Sequence, residues 1–259
     1  MTDTGQPALF IGHGNPMNAI ERNGYSDGWR ALGASLAPPR AVLSVSAHWY
    51  VRATMVTAMD SPRTIHDFGG FPAELFAVQY PAAGSPTLAG EVRDLLRPAT
   101  VALDESWGLD HGTWSVLVHM FPDADVPVVQ LSIDRSKPPS FHYALGQALA
   151  PLSDSGVLIL GSGNVVHNLE TYAWGGHPAE PFDWAVRFED RVRHLLDAGD
   201  HGPLVDYERM GPDARLAAPT PDHYLPLLYV IGAGGGRSVS YPVTGIEGGS
   251  ISMLAVRQD

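Results

Sequence analysis

The chain has 259 residues, of which 44% are hydrophobic and 17% charged, with a formal net charge of −12 and no cysteine. The lack of cysteine excludes thiol nucleophiles, disulfides and thiolate metal sites. The acidic balance argues against binding to nucleic acid or to an anionic membrane, since both need a basic protein surface.

The length and hydrophobic content are sufficient for a sizeable core. The first residues lack the basic segment and long apolar stretch of a signal peptide. No apolar stretch approaches the roughly 18 residues that a membrane helix needs. We therefore expect a cytoplasmic protein that does not associate with membranes.

Short aliphatic and β-branched segments alternate with helix-like segments along the chain. The predicted strands cover 7–12, 41–47, 54–59, 127–133, 156–161, 237–243 and 250–256. The predicted helices cover 24–36, 85–97, 140–152, 182–199 and 221–233. This alternation predicts a single α/β domain over 1–259, with a central, mostly parallel or mixed sheet and helices on both faces. Residues 60–84, rich in proline, glycine and aromatic side chains, are expected to wall a pocket.

A histidine follows three of the predicted strands. His13 follows the first strand, His48 the second, and His167 comes after the fifth in the segment GSGNVVH. In open α/β sheets, ligands collect outside the carboxyl ends of the strands. Neutral imidazole is the commonest metal ligand in proteins. The three histidines therefore predict a metal site built mainly from histidine.

Two further histidines are candidates for the same site. His223, in TPDHYLP, stands at the start of a predicted helix, and His111, in DHG, lies between tryptophans in surroundings that suit a flat, polar ligand. His66 is either a pocket residue or a turn residue bonded to Asp67. The remaining histidines are interpreted as structural: His119, His142, His177, His194 and His201.

The sequence does not match other catalytic motifs. GSGNVVH lacks the third glycine of a dinucleotide-binding fingerprint and the acidic residue about 20 positions further on. The chain contains no G-x-S-x-G elbow, no H-E-x-x-H zinc motif and no phosphate-binding loop. Its one lysine, Lys137, lies in a turn-like stretch and leaves little scope for Schiff-base chemistry.

Several segments, read in order, resemble the 4,5-DOPA extradiol dioxygenase family. These are class III ring-cleavage dioxygenases related to the catalytic subunit of protocatechuate 4,5-dioxygenase. The matching segments run from residue 7 to residue 256 and include FIGHGNP, SVSAHWY, TIHDFGGFP, GLDHGTW, GSGNVVHNL and TPDHYLP. The single domain is thereby identified as a class III extradiol dioxygenase catalytic domain.

The resemblance implies a set of ligands. His13, His48 and His223 match metal ligands, whereas His167 matches either a further ligand or a second-sphere acid–base group. His111 is expected to contact the substrate or bound oxygen. Better-known class III enzymes hold iron with two histidines and a carboxylate, so Asp222 and Glu247 remain alternative ligands.

The resemblance also implies the reaction. We expect one divalent metal ion, Fe(II) for activity, with Zn(II) possible because an all-histidine site accepts either. The enzyme would insert both atoms of O₂ into a DOPA-like catechol and give a ring-opened semialdehyde. The expected substrate-binding residues are Trp49, His66, Phe68 and Trp114, with Trp107 and Phe71 as further candidates for the ring wall.

The alternatives are a metal-binding adapter protein without oxygenase activity and a zinc-dependent hydrolase. The protein is expected to be a monomer or a small homo-oligomer.

Overall fold

The computed structural model describes residues 5–175 and 179–259. The strands are β1 (Ala8–Gly12), β2 (Ala41–Val51), β3 (Thr54–Thr57), β4 (Val101–Asp104), β5 (Val128–Asp134), β6 (Val157–Gly163), β7 (Val239–Ser240), β8 (Ile246–Glu247), β9 (Ile251–Ser252) and β10 (Ala255–Gln258). The helices are α1 (Gly24–Ala34), α2 (Ala73–Phe76), α3 (Pro86–Leu95), α4 (His111–Met120), α5 (Pro139–Leu149), α6 (Pro151–Asp154), α7 (Asp183–Asp197), α8 (His201–Val205), α9 (Pro212–Ala217) and α10 (Leu225–Gly234). Short 3-10 helices cover Pro16–Ala19 and Tyr207–Arg209.

A mixed sheet forms the centre of the described part of the chain. Its eight strands follow the order β4-β3-β5-β2-β6-β1-β10-β7. The central strands β5, β2, β6 and β1 are parallel, whereas β10 pairs antiparallel with β1 and β3 pairs antiparallel with β5. Every residue of β6 is buried, as expected for a strand covered on both faces. The predicted α/β class is confirmed.

Helices cover both faces of this sheet. Side chains of α3, α5, α7 and α10 form one hydrophobic cluster with one set of strand residues. Side chains of α1 and α4 form a second cluster with the alternate strand residues. In β2, for example, Leu43 belongs to the first cluster and Val42 to the second. No helix in the described residues combines the length and apolar character needed to cross a bilayer.

Helix α4 was absent from the sequence prediction. Nine of its ten residues are buried, so its sequence shows no polar face that would mark the helical period. Asp110 is the N-cap of this helix, and its side chain accepts a hydrogen bond from the Thr113 amide. His111 is therefore the first helical residue.

The strand boundaries also differ from the prediction. Strand β2 continues to Val51, and its pairing with β5 shifts register between Val45 and Tyr50. His48 therefore lies inside an irregular part of the strand rather than after it. Such irregularities re-aim side chains and are frequent beside active sites. The predicted strand 250–256 is divided into β9 and β10, and β9 pairs with β8 in a separate two-stranded sheet.

Helices α5 and α10 approach each other at two glycines. A Cβ atom on Gly146 would lie 2.3 Å from the Tyr229 carbonyl oxygen, and one on Gly232 would lie 2.5 Å from the Tyr143 carbonyl oxygen. Both distances are too short for atoms in contact. The close approach of these helices thus depends on the absence of side chains at both positions.

We expect Gly146→Ala to lower the free energy of unfolding by about 1–3 kcal/mol, because the new methyl group overlaps backbone atoms. The matched control is Gly90→Ala in α3, where a Cβ meets no atom within 4 Å. That control should stabilise the protein by about 0.5–1 kcal/mol through helix propensity. Denaturant unfolding of the two variants measures the difference, and equal effects would contradict the packing argument.

Candidate metal centre and substrate cavity

Five histidines converge at the carboxyl ends of β1, β6 and β2. His13 follows β1, His167 follows β6 and His48 lies near the end of β2; His111 opens α4 and His223 precedes α10. The ring centroids of His13, His48 and His223 lie 5.0–5.4 Å apart. The sheet order places β6 between β1 and β2, so histidines distant in sequence meet at one edge.

Ring nitrogens of His13, His48 and His223 lie within 4.8 Å of one another. The Nε2 atoms of His13 and His48 are 3.1 Å apart. The Nδ1 atoms, which face away from this cluster and are called the outer nitrogens, have protein partners. His13 Nδ1 lies 3.0 Å from the Ser162 hydroxyl, and His223 Nδ1 hydrogen-bonds to the Asp222 carboxylate.

This donor set fits a metal ion. The Ser162 hydroxyl donates its proton to the Gly112 carbonyl, which leaves its oxygen as an acceptor for His13 Nδ1–H. Asp222 accepts in the same way from His223. With Nδ1 protonated, each Nε2 presents a lone pair, and the inner nitrogens form a set of the kind that binds a divalent cation.

Burial favours the neutral form of His13, His48 and His167. Desolvation lowers the pKa of His13 and His48 well below the ordinary value, and the neighbouring histidines lower both further. Desolvation, followed by the charge of His223, lowers the pKa of His167 to about 2. Neutral imidazole is the form that binds a metal ion, so no proton has to be displaced from His13 or His48 near pH 7.

His167 occupies a distinct position. Its ring is stacked on His223, with centroids 3.5 Å apart and planes inclined by 4°. In the described residues, the nitrogen cluster contains His223 but not His167. The backbone amide of His167 donates to the Ala217 carbonyl at 2.7 Å, and the side chain of Asn168 donates to the Leu216 carbonyl at 2.8 Å. These bonds hold the segment after β6 against α9.

Small residues in the GSGN segment allow this arrangement. A Cβ atom on Gly163 would lie 2.1 Å from the His223 carbonyl oxygen, which itself accepts a hydrogen bond from the Asn164 amide at 2.9 Å. Only glycine lets the chain carrying His223 cross β6 this closely. The small residues between β6 and His167 thereby bring two site histidines together.

A second cluster links His48 and His111 through Asp67. Asp67 Oδ2 lies 3.2 Å from His48 Nδ1, and Asp67 Oδ1 lies 3.0 Å from His111 Nδ1. The His111 backbone amide also donates to Asp67 Oδ1 at 2.9 Å. Burial raises the pKa of Asp67, but the hydrogen bonds and charge of His111 outweigh it and lower the pKa overall. The sequence alone indicates Asp67 only as a turn partner of His66.

A buried polar network anchors α4 beneath this cluster. Asp110 accepts hydrogen bonds from Ser46 and Gln130, and Gln130 also accepts from Thr113 at 3.1 Å. Burial and the nearby charge of Asp67 raise the pKa of Asp110 to about 6. The network connects α4 to β2 and β5, which sets the position of His111.

The histidines open onto a cavity of about 230 Å³. Its wall is largely aromatic and aliphatic, with the following residues beside the five histidines: Gly14, Asn15, Pro16, Phe68, Phe71, Leu169, Tyr172, Trp174 and Ile251. Phe68, expected to bind substrate, and the candidate Phe71 are in this wall. Leu169, Tyr172 and Trp174 follow His167 in a loop for which the sequence carries no periodic signal. The Tyr172 hydroxyl donates to Glu247 Oε1 at 3.1 Å, and this carboxylate lies outside the nitrogen cluster.

Three expected substrate-binding residues lie outside the cavity wall. Trp49 follows His48 directly in β2, and its ring stacks on that of Trp107, with the ring centroids 5.4 Å apart. Trp114 donates to the Ile65 carbonyl at 2.8 Å, and His66 Nε2 lies 3.0 Å from the Val78 carbonyl oxygen.

His66 and Trp114 nevertheless contact Phe68, with ring centroids 5.8 and 6.1 Å from it. They form a layer behind the wall.

The remaining histidines that the structure describes do not line this cavity. His119 Nε2 is 2.8 Å from the Asn18 carbonyl oxygen, and His142 Nδ1 is 2.9 Å from the Tyr229 hydroxyl. His194 is exposed on α7. His177 falls outside the described residues.

Residues 7–250 match the family described as the catalytic LigB subunit of aromatic ring-opening dioxygenase. The chain belongs to this family. A protein of Escherichia coli K12 named 4,5-DOPA dioxygenase extradiol is 52% identical, over 99% of this chain and 96% of its own length. A protein of the same name from Beta vulgaris is 40% identical over 91% of this chain and 90% of its own length.

The fold is shared with a solved structure. The crystal structure of an uncharacterized protein from Escherichia coli K12 has a TM-score of 0.86 and 48% identity, covering 98% of this chain and 100% of that one. Together with the family match, these similarities confirm the predicted class of enzyme, an extradiol ring-cleavage dioxygenase.

The position of Phe68 leads to a specificity test. We expect Phe68→Leu to raise KM for the catechol about two- to tenfold, because it removes an aromatic contact worth roughly 0.5–1.5 kcal/mol. Trp49→Phe, a comparable change outside the cavity, should leave KM unchanged. Steady-state oxygen consumption measures both, and an equal effect of the two variants would contradict the assignment of Phe68 to the cavity wall.

Proposed function

We propose that this site binds one divalent metal ion through His13, His48 and His223 and cleaves a DOPA-like catechol with O₂. The product would be a ring-opened semialdehyde that contains both oxygen atoms. The observation that carries the proposal is the convergence of three imidazoles at the floor of an aromatic cavity. Membership of the ring-opening dioxygenase family supports the same reaction.

We propose Fe(II) as the metal of the active enzyme. When bound, iron supplies the redox chemistry that allows a singlet catechol to react with triplet dioxygen. An all-histidine set also suits zinc, so purified protein can carry Zn(II) in its place. The side chains of Asp222 and Glu247 bond to His223 and Tyr172. This supports His223, rather than a carboxylate, as the third ligand.

His167 is proposed as the acid–base group. It lines the cavity beside His223 but is absent from the nitrogen cluster, which supports proton transfer rather than metal binding. It would take a proton from a catechol hydroxyl group and return it as the ring opens. His111 also lines the cavity, and its position supports a hydrogen bond to the substrate.

The aromatic wall is proposed to orient the catechol ring. Phe68 and Phe71 contact each other edge to face, with centroids 5.3 Å apart, and Tyr172 and Trp174 contact each other at 4.7 Å. Such rings bind an aromatic substrate by stacking and edge contacts. The names of the relatives from Escherichia coli and Beta vulgaris support DOPA as the first substrate to test. A cytoplasmic location and a monomeric or small homo-oligomeric state stay predictions.

The ligand roles lead to a mutational prediction. His13→Ala and His48→Ala should lose both metal and activity, because each removes one inner nitrogen. His167→Ala should keep metal but lose about 10²–10⁴-fold in kcat, the range of a general acid–base group. The exposed histidine variant His194→Ala is the matched control. Metal analysis and oxygen uptake are measured together, and normal turnover of His167→Ala would remove its acid–base role.

The reaction itself is tested by metal removal and reconstitution. Chelated protein should be inactive, and anaerobic loading with Fe(II) should restore oxygen uptake on DOPA with a yellow semialdehyde product. Protocatechuate and simple catechol are the comparison substrates. An iron-loaded protein that consumes no oxygen on the whole panel would favour the hydrolase or adapter alternatives.

A further inference from the structure

Asp67 stands between a proposed metal ligand and a proposed substrate-binding histidine. Its Oδ2 lies 3.2 Å from His48 Nδ1 and its Oδ1 lies 3.0 Å from His111 Nδ1. We propose that Asp67 is a positioning residue that sets the tautomers of His48 and His111 together. The inference rests on the proposed function, since it assigns a role towards the bound metal.

The chemistry of the three groups decides the tautomers. A neutral imidazole carries a proton on one nitrogen and a lone pair on the other, whereas a carboxylate can only accept. A lone pair on Nδ1 this close to a carboxylate oxygen would be repelled. We therefore assign the proton to both Nδ1 atoms, which lie within ion-pair distance of Asp67, and leave both Nε2 atoms as acceptors.

The consequence for each histidine is different. His48 Nε2 lies 3.1 Å from His13 Nε2 inside the proposed metal cluster, so the two lone pairs face each other and a cation is the group that both can bind. His111 lines the cavity and presents its Nε2 lone pair to a catechol hydroxyl group. One carboxylate thus prepares a ligand and a substrate-binding group.

The backbone orients Asp67. The His111 amide, at the first turn of α4, donates to Oδ1 at 2.9 Å, and this end of a helix favours a negative charge. Oδ1 is therefore assigned to the His111 side and Oδ2 to the His48 side. Asp67 also precedes Phe68, so the same anchor holds the aromatic wall beside the metal cluster.

Replacing Asp67 by asparagine should affect the contact with His48 and the contact with His111 differently. The single carbonyl oxygen of asparagine should stay with the His111 amide, which places the NH₂ group against His48 Nδ1. His48 must then accept on Nδ1 and carry its proton on Nε2, where it blocks the ligand position. His111 should keep its tautomer.

The test is zinc binding by metal-free, full-length protein in competition with a chromophoric chelator. We expect Asp67→Asn to weaken Zn²⁺ binding about 10- to 100-fold, as for other partners of metal-bound histidines. Asp60→Asn removes the same charge from an exposed position in the same segment and should bind like the wild type. Long-range ¹H–¹⁵N spectra of histidine-labelled, metal-free protein should show His48 alone changing to the Nε2–H tautomer.

The results distinguish a failure of the proposed metal site from a failure of the role proposed for Asp67. Wild-type protein that binds no Zn²⁺ would overturn the proposed metal site and not the role of Asp67 specifically. Wild-type affinity in Asp67→Asn, or an affinity loss without a change of the His48 tautomer, would overturn the inference.

Asp67→Glu keeps two acceptor oxygens and should bind Zn²⁺ more tightly than Asp67→Asn. An equal loss in both variants would mean that the position requires the size of aspartate rather than its two acceptors, and would also overturn it. Thermal unfolding of each variant ensures that folded proteins are compared.

Discussion

The site depends on the partners of the outer imidazole nitrogens. Ser162 and Asp222 accept from His13 and His223, and Asp67 lies against His48. Burial alone would leave the three rings free to adopt several orientations. The outer partners remove that freedom, so the inner nitrogens face one point before any metal arrives. The sheet and the loops described above hold these partners in place.

The sheet supplies most of that support. Strands β1, β6 and β2 are adjacent, parallel and buried, and their carboxyl ends form a rigid edge that carries His13, Ser162 and His48. The network of Asp110 and Gln130 then attaches α4 to the same strands. Because these groups belong to the sheet or are bonded to it, their relative positions follow from backbone pairing. Rigid elements of this kind hold site geometry more closely than loops do.

The loops contribute the chemistry that distinguishes this cavity. The excursion after β3 brings Asp67 and Phe68, and the segment after β6 brings His167 and Tyr172. These side chains are tied back by backbone hydrogen bonds, such as those of the His111 and His167 amides. Loop residues thus complete a site whose floor belongs to the sheet, an arrangement frequent in α/β enzymes.

The sequence by itself determined the class of fold, most strands of the sheet and the histidines at their ends, because strand periodicity and strand-end placement are local signals. It also carried the resemblance to a ring-cleavage family. The position of α4, the irregular end of β2 and the two-residue strand β8 were not predicted, since a helix buried all round has no period and a two-residue strand has no pattern.

Only the tertiary structure decided which carboxylate lies against which imidazole, that Trp49 stacks on Trp107 outside the cavity wall, and that Tyr172 and Trp174 line the cavity. These relations join residues far apart in the chain. Their distances depend on sheet order and backbone packing, which no local stretch of sequence encodes.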